Sequence, residues 1–173
     1  MSAEALSPVT STTSGIDAEQ FRAIFRAHPA GVAVVTLHDG HRPVGFTATS
    51  VISVSAEPPL VAFSVSTGSS SWPALSASRQ VVINFLADDQ ASLSARFAAS
   101  GVDRFADGGW RPLPSGVPVL DGCSGWIEAA IHSRLPAADS RIVLVEAMAA
   151  WGTGRQPLVY RDRSYHKLIE YEI

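Results

Sequence analysis

The feature that most constrains this chain is a succession of short apolar segments, rich in Val, Ile and Phe, kept apart by turn residues. GVAVVTLHDGHRPVGFTA (31–48) holds a β-branched run, a His38-Asp39-Gly40-His41 turn and a second run, which is a hairpin pattern. LVAFSV (60–65), VVINFL (81–86), WIEAAIHSRL (126–135), RIVLVEAMAAW (141–151) and PLVYRDRSYHKL (157–168) follow as strand candidates. So many short strands, not alternating regularly with helices, predict a mainly β barrel or sandwich with a few peripheral helices. There is no GxGxxG and no GxxxxGK[ST], so the dinucleotide fingerprint and the P-loop are both absent.

Three helices decorate this pattern. Asp17 can cap the first, with Gln20 at the capping-box position and Phe21, Ile24, Phe25 and His28 at helical spacing, before Pro29 and Gly31 stop it. A second begins among Ser69, Ser70 and Ser71, with Trp72 and Pro73 in its first turn. A third follows Asp88 and turns Leu93, Phe97 and Ala98 inward. Ala99 to Gly116 reads as a long loop of the kind that often serves as a lid or binding segment. Residues 1–15 read as a flexible N-terminal tail, and 16–173 as one domain.

Composition narrows the classes of function. The chain is 46% hydrophobic, enough for a core, and its formal charge of −3 with no basic stripe argues against nucleic acid. At 17% charged it falls below the usual share of about 25%, which leaves room for a buried self-association surface. A single cysteine, Cys123, excludes an internal disulfide and reads as a packing residue. No signal-peptide pattern and no membrane-length apolar run are present, so a cytoplasmic protein with no membrane contact is expected.

The unusual stretch is GFTATSVISVSAEPPLVAF (45–63). Thr47, Ala48, Thr49 and Ser50 combine small side chains, hydroxyls and accessible backbone N–H groups. Such an array suits an acceptor-rich ligand: a heterocycle edge, a polyol or a phosphate. It equally suits a Thr/Ser-rich strand satisfied by cross-strand pairing. Ser69-Ser70-Ser71 poses the same choice, between a phosphate site at a helix start and plain N-capping.

Order and spacing then add a resemblance. HPAGVAVVT, GFTATSVISVSAEPPLVAFSV, SSSWPAL, VINFL, LSARFA, DRFA and PLVYRDRSY occur in the sequence typical of the short-chain flavin reductases, the reductase components of two-component flavin monooxygenases. The likeness runs from about Phe21 to Tyr165, and its most specific part is G-[FM]-T-A-[ST]-S followed by S-V-S-x-x-P-P-L. It implies an FMN-binding split β-barrel of Greek-key type, usually a homodimer. It also implies reduction of FMN, or FAD, by NADH or NADPH, and delivery of the reduced flavin to a flavin-dependent monooxygenase. By the same resemblance Thr47, Ala48, Thr49 and Ser50 lie along the ring and ribityl chain. Ser64, Val65 and Ser66 give backbone contacts, Ser70 and Ser71 meet the phosphate, and Phe97, Arg104 and Phe105 border the pocket. The family often carries Gly-Asp-His before its penultimate long strand; here the stretch is Ala138-Asp139-Ser140, so Asp139 and Ser140 are the candidates for the nicotinamide side. Serine cannot take the positive charge that histidine can. That substitution keeps open a flavin-binding oxygenase or oxidase-like protein, or a non-catalytic flavin- or haem-binding protein. Tyr160, Arg161, Arg163 and Tyr165 are further candidates for cofactor contacts or residues of a solvated turn. No metal site is expected: His38 and His41 lack further ligands at metal spacing. His132 should face solvent, and Trp110 is the tryptophan best placed to meet a ligand.

Overall fold

The computed structural model describes residues 15–169 and residue 171, so the predicted tail at 1–15 lies outside them but for Gly15. The first helix, α1 (Ala18–Ala27), is capped by Asp17, whose Oδ1 accepts from the N–H groups of Glu19 and Gln20 at 2.8 Å each. None of its residues is buried; Phe21, Ile24 and Phe25 stand exposed in a row.

The main sheet has seven antiparallel strands: β2 (Ala33–His38), β3 (Pro43–Ala48), β4 (Ile52–Ala56), β5 (Pro59–Ser66), β6 (Gln80–Phe85), β9 (Gly125–Ala137) and β10 (Ser140–Gly152). Their order is β3-β2-β6-β9-β10-β5-β4. β3 and β4 therefore occupy opposite edges, yet only residues 49–51 join them. In a flat sheet those edges would lie about 29 Å apart at six strand spacings. The linker spans at most about 14 Å. The sheet must roll until its edges face each other, and the rings of Phe46 on β3 and Phe63 on β5 meet inside with centroids 6.2 Å apart. No hydrogen-bonded ladder joins β3 to β4 among the described residues. The result is the expected split barrel.

Its interior holds Ala33, Val35, Leu37, Phe46, Phe63, Val81, Ile83, Val143 and Val145. The other face of β2 is also covered: Val32 and Val34 pack with Leu86, Phe97, Phe105, Leu120 and Leu158. Both faces being buried explains why VVTL reads as an unbroken apolar run rather than an alternation. The loop predicted at 99–116 includes a strand, β7 (Trp110–Pro112), paired with β8 (Pro118–Leu120) against β6. The segment predicted as one strand at 157–168 is instead a hairpin, β11 (Val159–Arg161) and β12 (Ser164–His166), set on the short β1 (Ala30–Gly31). Asp162 and Arg163 turn it with φ of 50° and 61°, the two positive values of a type I′ turn. Periodicity could not reveal that turn, because neither residue is the usual Asn or Gly.

The remaining helices are α2 (Trp72–Ala77) and α3 (Ala91–Ala98). Against expectation Ala98 is exposed, and Ser94 joins Phe97 as the buried side of α3. His132 is exposed and is skipped by the β9–β10 register, which steps from Ser133 to Ile131. Cys123 packs in the cluster behind β2, and burial pushes its thiol pKa up to about 12, as suits an unreactive packing residue. No helix among the described residues is long and apolar enough to cross a membrane.

One buried polar knot pins the outer layer. Asn84 donates to Val34 O and to Thr36 Oγ1 at 3.0 Å each, and its Oδ1 accepts from Leu120 N–H at 2.8 Å. Asn84→Leu strands the Leu120 N–H and should destabilise the chain by about 1–3 kcal/mol, read as a lower midpoint in urea unfolding. An unchanged midpoint would mean that the knot adds nothing.

Candidate functional site

The segment 45–50 delivers its side chains to different places. Gly45 is buried, and a Cβ on it would lie 2.8 Å from the Phe97 ring and 3.1 Å from Val35 O. Only glycine lets α3 sit this close to β3. Thr47 donates to Ser94 O at 2.7 Å, and Tyr165 donates from the other side to Ser94 Oγ at 2.9 Å. Ala48 turns into the barrel core. Ser50, just ahead of β4, bonds to β5: its Oγ accepts from Ser64 N–H at 3.0 Å and lies 2.9 Å from Ser64 Oγ, extending the β4–β5 register in which Ile52 faces Ala62. The hydroxyls of this segment thus tie it to α3 and to β5.

Two adjoining cavities open beside this segment. The smaller, about 320 Å³, is lined by Thr47, Ser64, Val65, Ser66, Ser69, Ser70, Phe97 and Arg104 among others. The larger, about 630 Å³, takes in Gly45, Ser70, Ser71, Arg104, Phe105 and Trp110. Ser70 and Arg104 belong to both. Seven of the residues predicted from sequence therefore meet in the smaller cavity. Ser71 and Phe105 meet Ser70 and Arg104 in the larger one. Ala48 is the exception, since its side chain is inside the barrel; Thr49 and Ser50 are exposed at the rim of the split and line neither cavity.

Arg104 is the hub. Its Nε and Nη2 donate to Ala99 O at 3.0 and 2.6 Å, and its Nη1 donates to Gly45 O at 2.6 Å and Ser71 Oγ at 3.0 Å. Burial pulls its pKa below the ordinary arginine value, yet a guanidinium stays charged under all working conditions. Ser71 is almost fully buried and makes no side-chain cap to α2, which has only six residues. A helix so short has little dipole, and the fixed charge beside the serines is Arg104. Phe97, Phe105 and Trp110 stack edge to face behind it, with centroids 5.0 and 5.4 Å apart.

Asp139 and Ser140 lie just outside these cavities. Thr67 N–H and Oγ1 both donate to Asp139 O, and Ser140 pairs with Ser66 in the β5–β10 register. Ser140 Oγ donates to Asp139 Oδ1 at 3.1 Å. Ala138, where the family pattern has glycine, has φ 51°, a left-handed conformation that favours glycine. Arg161 and Arg163 are exposed on the β11–β12 turn; Tyr160 stacks on Tyr165. His38 Nδ1 accepts from Gly40 N–H, and no group of three metal-ligating side chains converges among the described residues. Sequence reasoning missed Ser94, whose signal, a serine on an inward helix face, is too common to single out. It also missed the contact of Gly45 O with Arg104, which no local pattern encodes.

The sequence matches the family described as flavin reductase like domain over residues 25–168. The chain belongs to the flavin reductase-like family. It is 43% identical over 161 residues to an NADH:FMN oxidoreductase of Rhodococcus erythropolis, covering 90% of this chain and 84% of that protein. It is 35% identical over 128 residues to the reductase subunit of a flavin-dependent monooxygenase of Mycobacterium tuberculosis, covering 74% and 68%. Among solved structures, the NADH:FAD oxidoreductase of Streptomyces globisporus C-1027, in complex with NAD and FAD fragments, superposes with a TM-score of 0.84 at 30% identity, covering 88% and 93%. The flavin reductase-like fold and the open barrel thus agree.

Gly45→Ala drives a methyl group into the Phe97 ring and the Val35 carbonyl. It should cost about 1–3 kcal/mol of stability, seen as a lower thermal midpoint. A midpoint equal to wild type would refute the close packing of α3 on β3.

Proposed function

We propose that this chain is an NAD(P)H-dependent flavin reductase that supplies reduced flavin to a partner monooxygenase. The observation that carries it is the slot at Arg104: a fixed guanidinium and three serines at one end, and the hydroxyls of Thr47, Ser64 and Ser66 along its side. That donor set fits a ribityl phosphate with its ring. Arg104 and Ser69–Ser71 would hold the phosphate. Thr47 spends its proton on Ser94, so its lone pairs and the adjoining main chain are left for the ligand. Phe97 closes the back of the slot. A bound flavin supplies the two-electron chemistry, taking a hydride from NAD(P)H, and departs reduced. The protein's own task is to bind, orient and keep the two rings at reacting distance.

Ser140 shares a sheet face with Ser66, directly opposite it in register, so its hydroxyl is placed to meet a nicotinamide carboxamide beside the slot. Asp139 receives the Ser140 proton and orients that hydroxyl. Residues 16–173 act as the one catalytic domain, with 1–15 as a tail outside it. We assign the chain to the cytoplasm, where NAD(P)H is available to it. A homodimer would cover the exposed apolar side chains of β4 and β10, among them Ile52, Val54, Ile142, Met148 and Trp151, the last 58% exposed. The low charge content and the membership of the family support this.

The deciding assay is NADH and NADPH oxidation with FMN, FAD and riboflavin. Turnover that needs added flavin is expected; flavin binding with no turnover of either nucleotide sinks the reductase reading. Arg104→Gln should weaken FMN about 10–100-fold and riboflavin far less, because only FMN carries the phosphate. Ser140→Ala should raise the KM for NADH several-fold while the flavin Kd stays unchanged. Sedimentation equilibrium of the full chain should give twice 18.3 kDa; a monomer at micromolar concentration overturns the dimer.

A further inference from the structure

The hairpin β11–β12 lines neither cavity, yet it holds the helix that walls the smaller one. Phe97 and Ala98, at the C-terminal end of α3, belong to that wall. Ala99 follows them, and its carbonyl accepts from Nε and Nη2 of Arg104. A turn or slide of α3 would move the wall and the guanidinium's anchor together.

The helix cannot fix its own position. It has eight residues, and Gln90 at its start makes no side-chain cap. Helices this short are marginal in water and take their stability from what they pack on. On one side β3 sets α3: Gly45 admits the Phe97 ring, and Thr47 donates to Ser94 O at 2.7 Å. On the other side the hairpin sets it. Tyr165 on β12 donates to Ser94 Oγ at 2.9 Å, and Lys167 pairs with Asp88, just ahead of α3, at 2.8 Å. The ion pair is exposed and worth little. The hydroxyl contact reaches the buried face, because Ser94 is 1% exposed. Without Tyr165 that buried Oγ loses its partner.

Two further details fit a clamp. The Tyr165 ring is itself fixed: it rests on Tyr160 with centroids 5.1 Å apart, and Tyr160 pairs with Ala30 in β1. Ser94 also stands three positions before Phe97, on the same face of the helix. Whatever fixes Ser94 therefore fixes the angle at which the Phe97 ring meets the slot.

We propose that Tyr165 is a positioning residue for the slot: its hydroxyl, which touches no ligand, sets α3 through Ser94 and thereby raises the affinity for flavin. This rests on the flavin reading of the slot.

The test is flavin fluorescence titration of the flavin-free full chain with FMN and with riboflavin, on wild type, Tyr165→Phe, Ser94→Ala and the double variant. Tyr165→Phe keeps the ring on Tyr160 and removes only the hydroxyl. It should raise the FMN Kd about 3–10-fold, the scale of one hydrogen bond. Riboflavin should weaken about as much as FMN, unlike the phosphate-selective loss expected of Arg104→Gln, because the wall moves for both. Ser94→Ala should give a similar change, and the double variant no more than either alone, since all three lose one contact. A lowered thermal midpoint with an FMN Kd within about twofold of wild type gives the hydroxyl a merely structural role and overturns the proposal. Changes that add in the double variant overturn it too. Both results leave the flavin reading intact, whereas failure of wild type to bind any flavin overturns that reading itself.

Discussion

A single half-buried guanidinium organises the site. Arg104 ties three stretches that are distant in sequence: Ala99 at the end of α3, Gly45 in β3 and Ser71 ahead of α2. All three partners are neutral oxygens, so its charge is solvated but not cancelled. A cation held this way stays available to an anion, which is the role proposed for it. It also fixes the wall between the two cavities, because the residue that anchors the loop is the one that both spaces share. Remove that anchor and the loop, the start of α2 and the β3 carbonyl lose their common fastening.

The hydroxyls around it divide between architecture and recognition. Ser50 and Ser64 continue the contact of β4 with β5 past the end of their ladder. Thr47 and Tyr165 converge on Ser94 and hold α3 over β3. These bonds use some donors and leave acceptors and main-chain groups facing outward. A barrel left unsealed along one edge has unpaired backbone to offer, and the serines and threonines keep that edge ordered without filling it. The same short segment thus ties α3 to β3 through Thr47 and reaches β5 through Ser50, and the proposed reading gives it the ligand as well.

Much of the fold was legible before any coordinates. The hairpin at 33–48, the strands at 59–66 and 80–85 and the Asp17 cap follow from local patterns of period and capping chemistry. That Thr47, Ser64, Ser66 and Arg104 line one cavity was legible through resemblance, not through spacing. What local pattern did not show concerns residues whose surroundings depend on what lies across from them. Ala48 sits in a hydroxyl-rich run, but alternation sends it inward. Ser71 looks like a helix cap, yet its hydroxyl bonds Arg104 from a loop 33 positions later. A solvated turn near Arg161 to Arg163 was one of two readings open from sequence, and the structure shows it as the β11–β12 turn at Asp162 and Arg163.

The sequence by itself determined the strands, their antiparallel hairpins and the presence of a hydroxyl-rich segment, because period and turn chemistry act between neighbours. Only the tertiary structure decided that three residues bridge opposite edges of a seven-stranded sheet, that Arg104 meets Gly45 and Ser71, and that a second space opens behind them. Those outcomes depend on how the rolled sheet brings remote segments together, and chain proximity carries no record of distance in space.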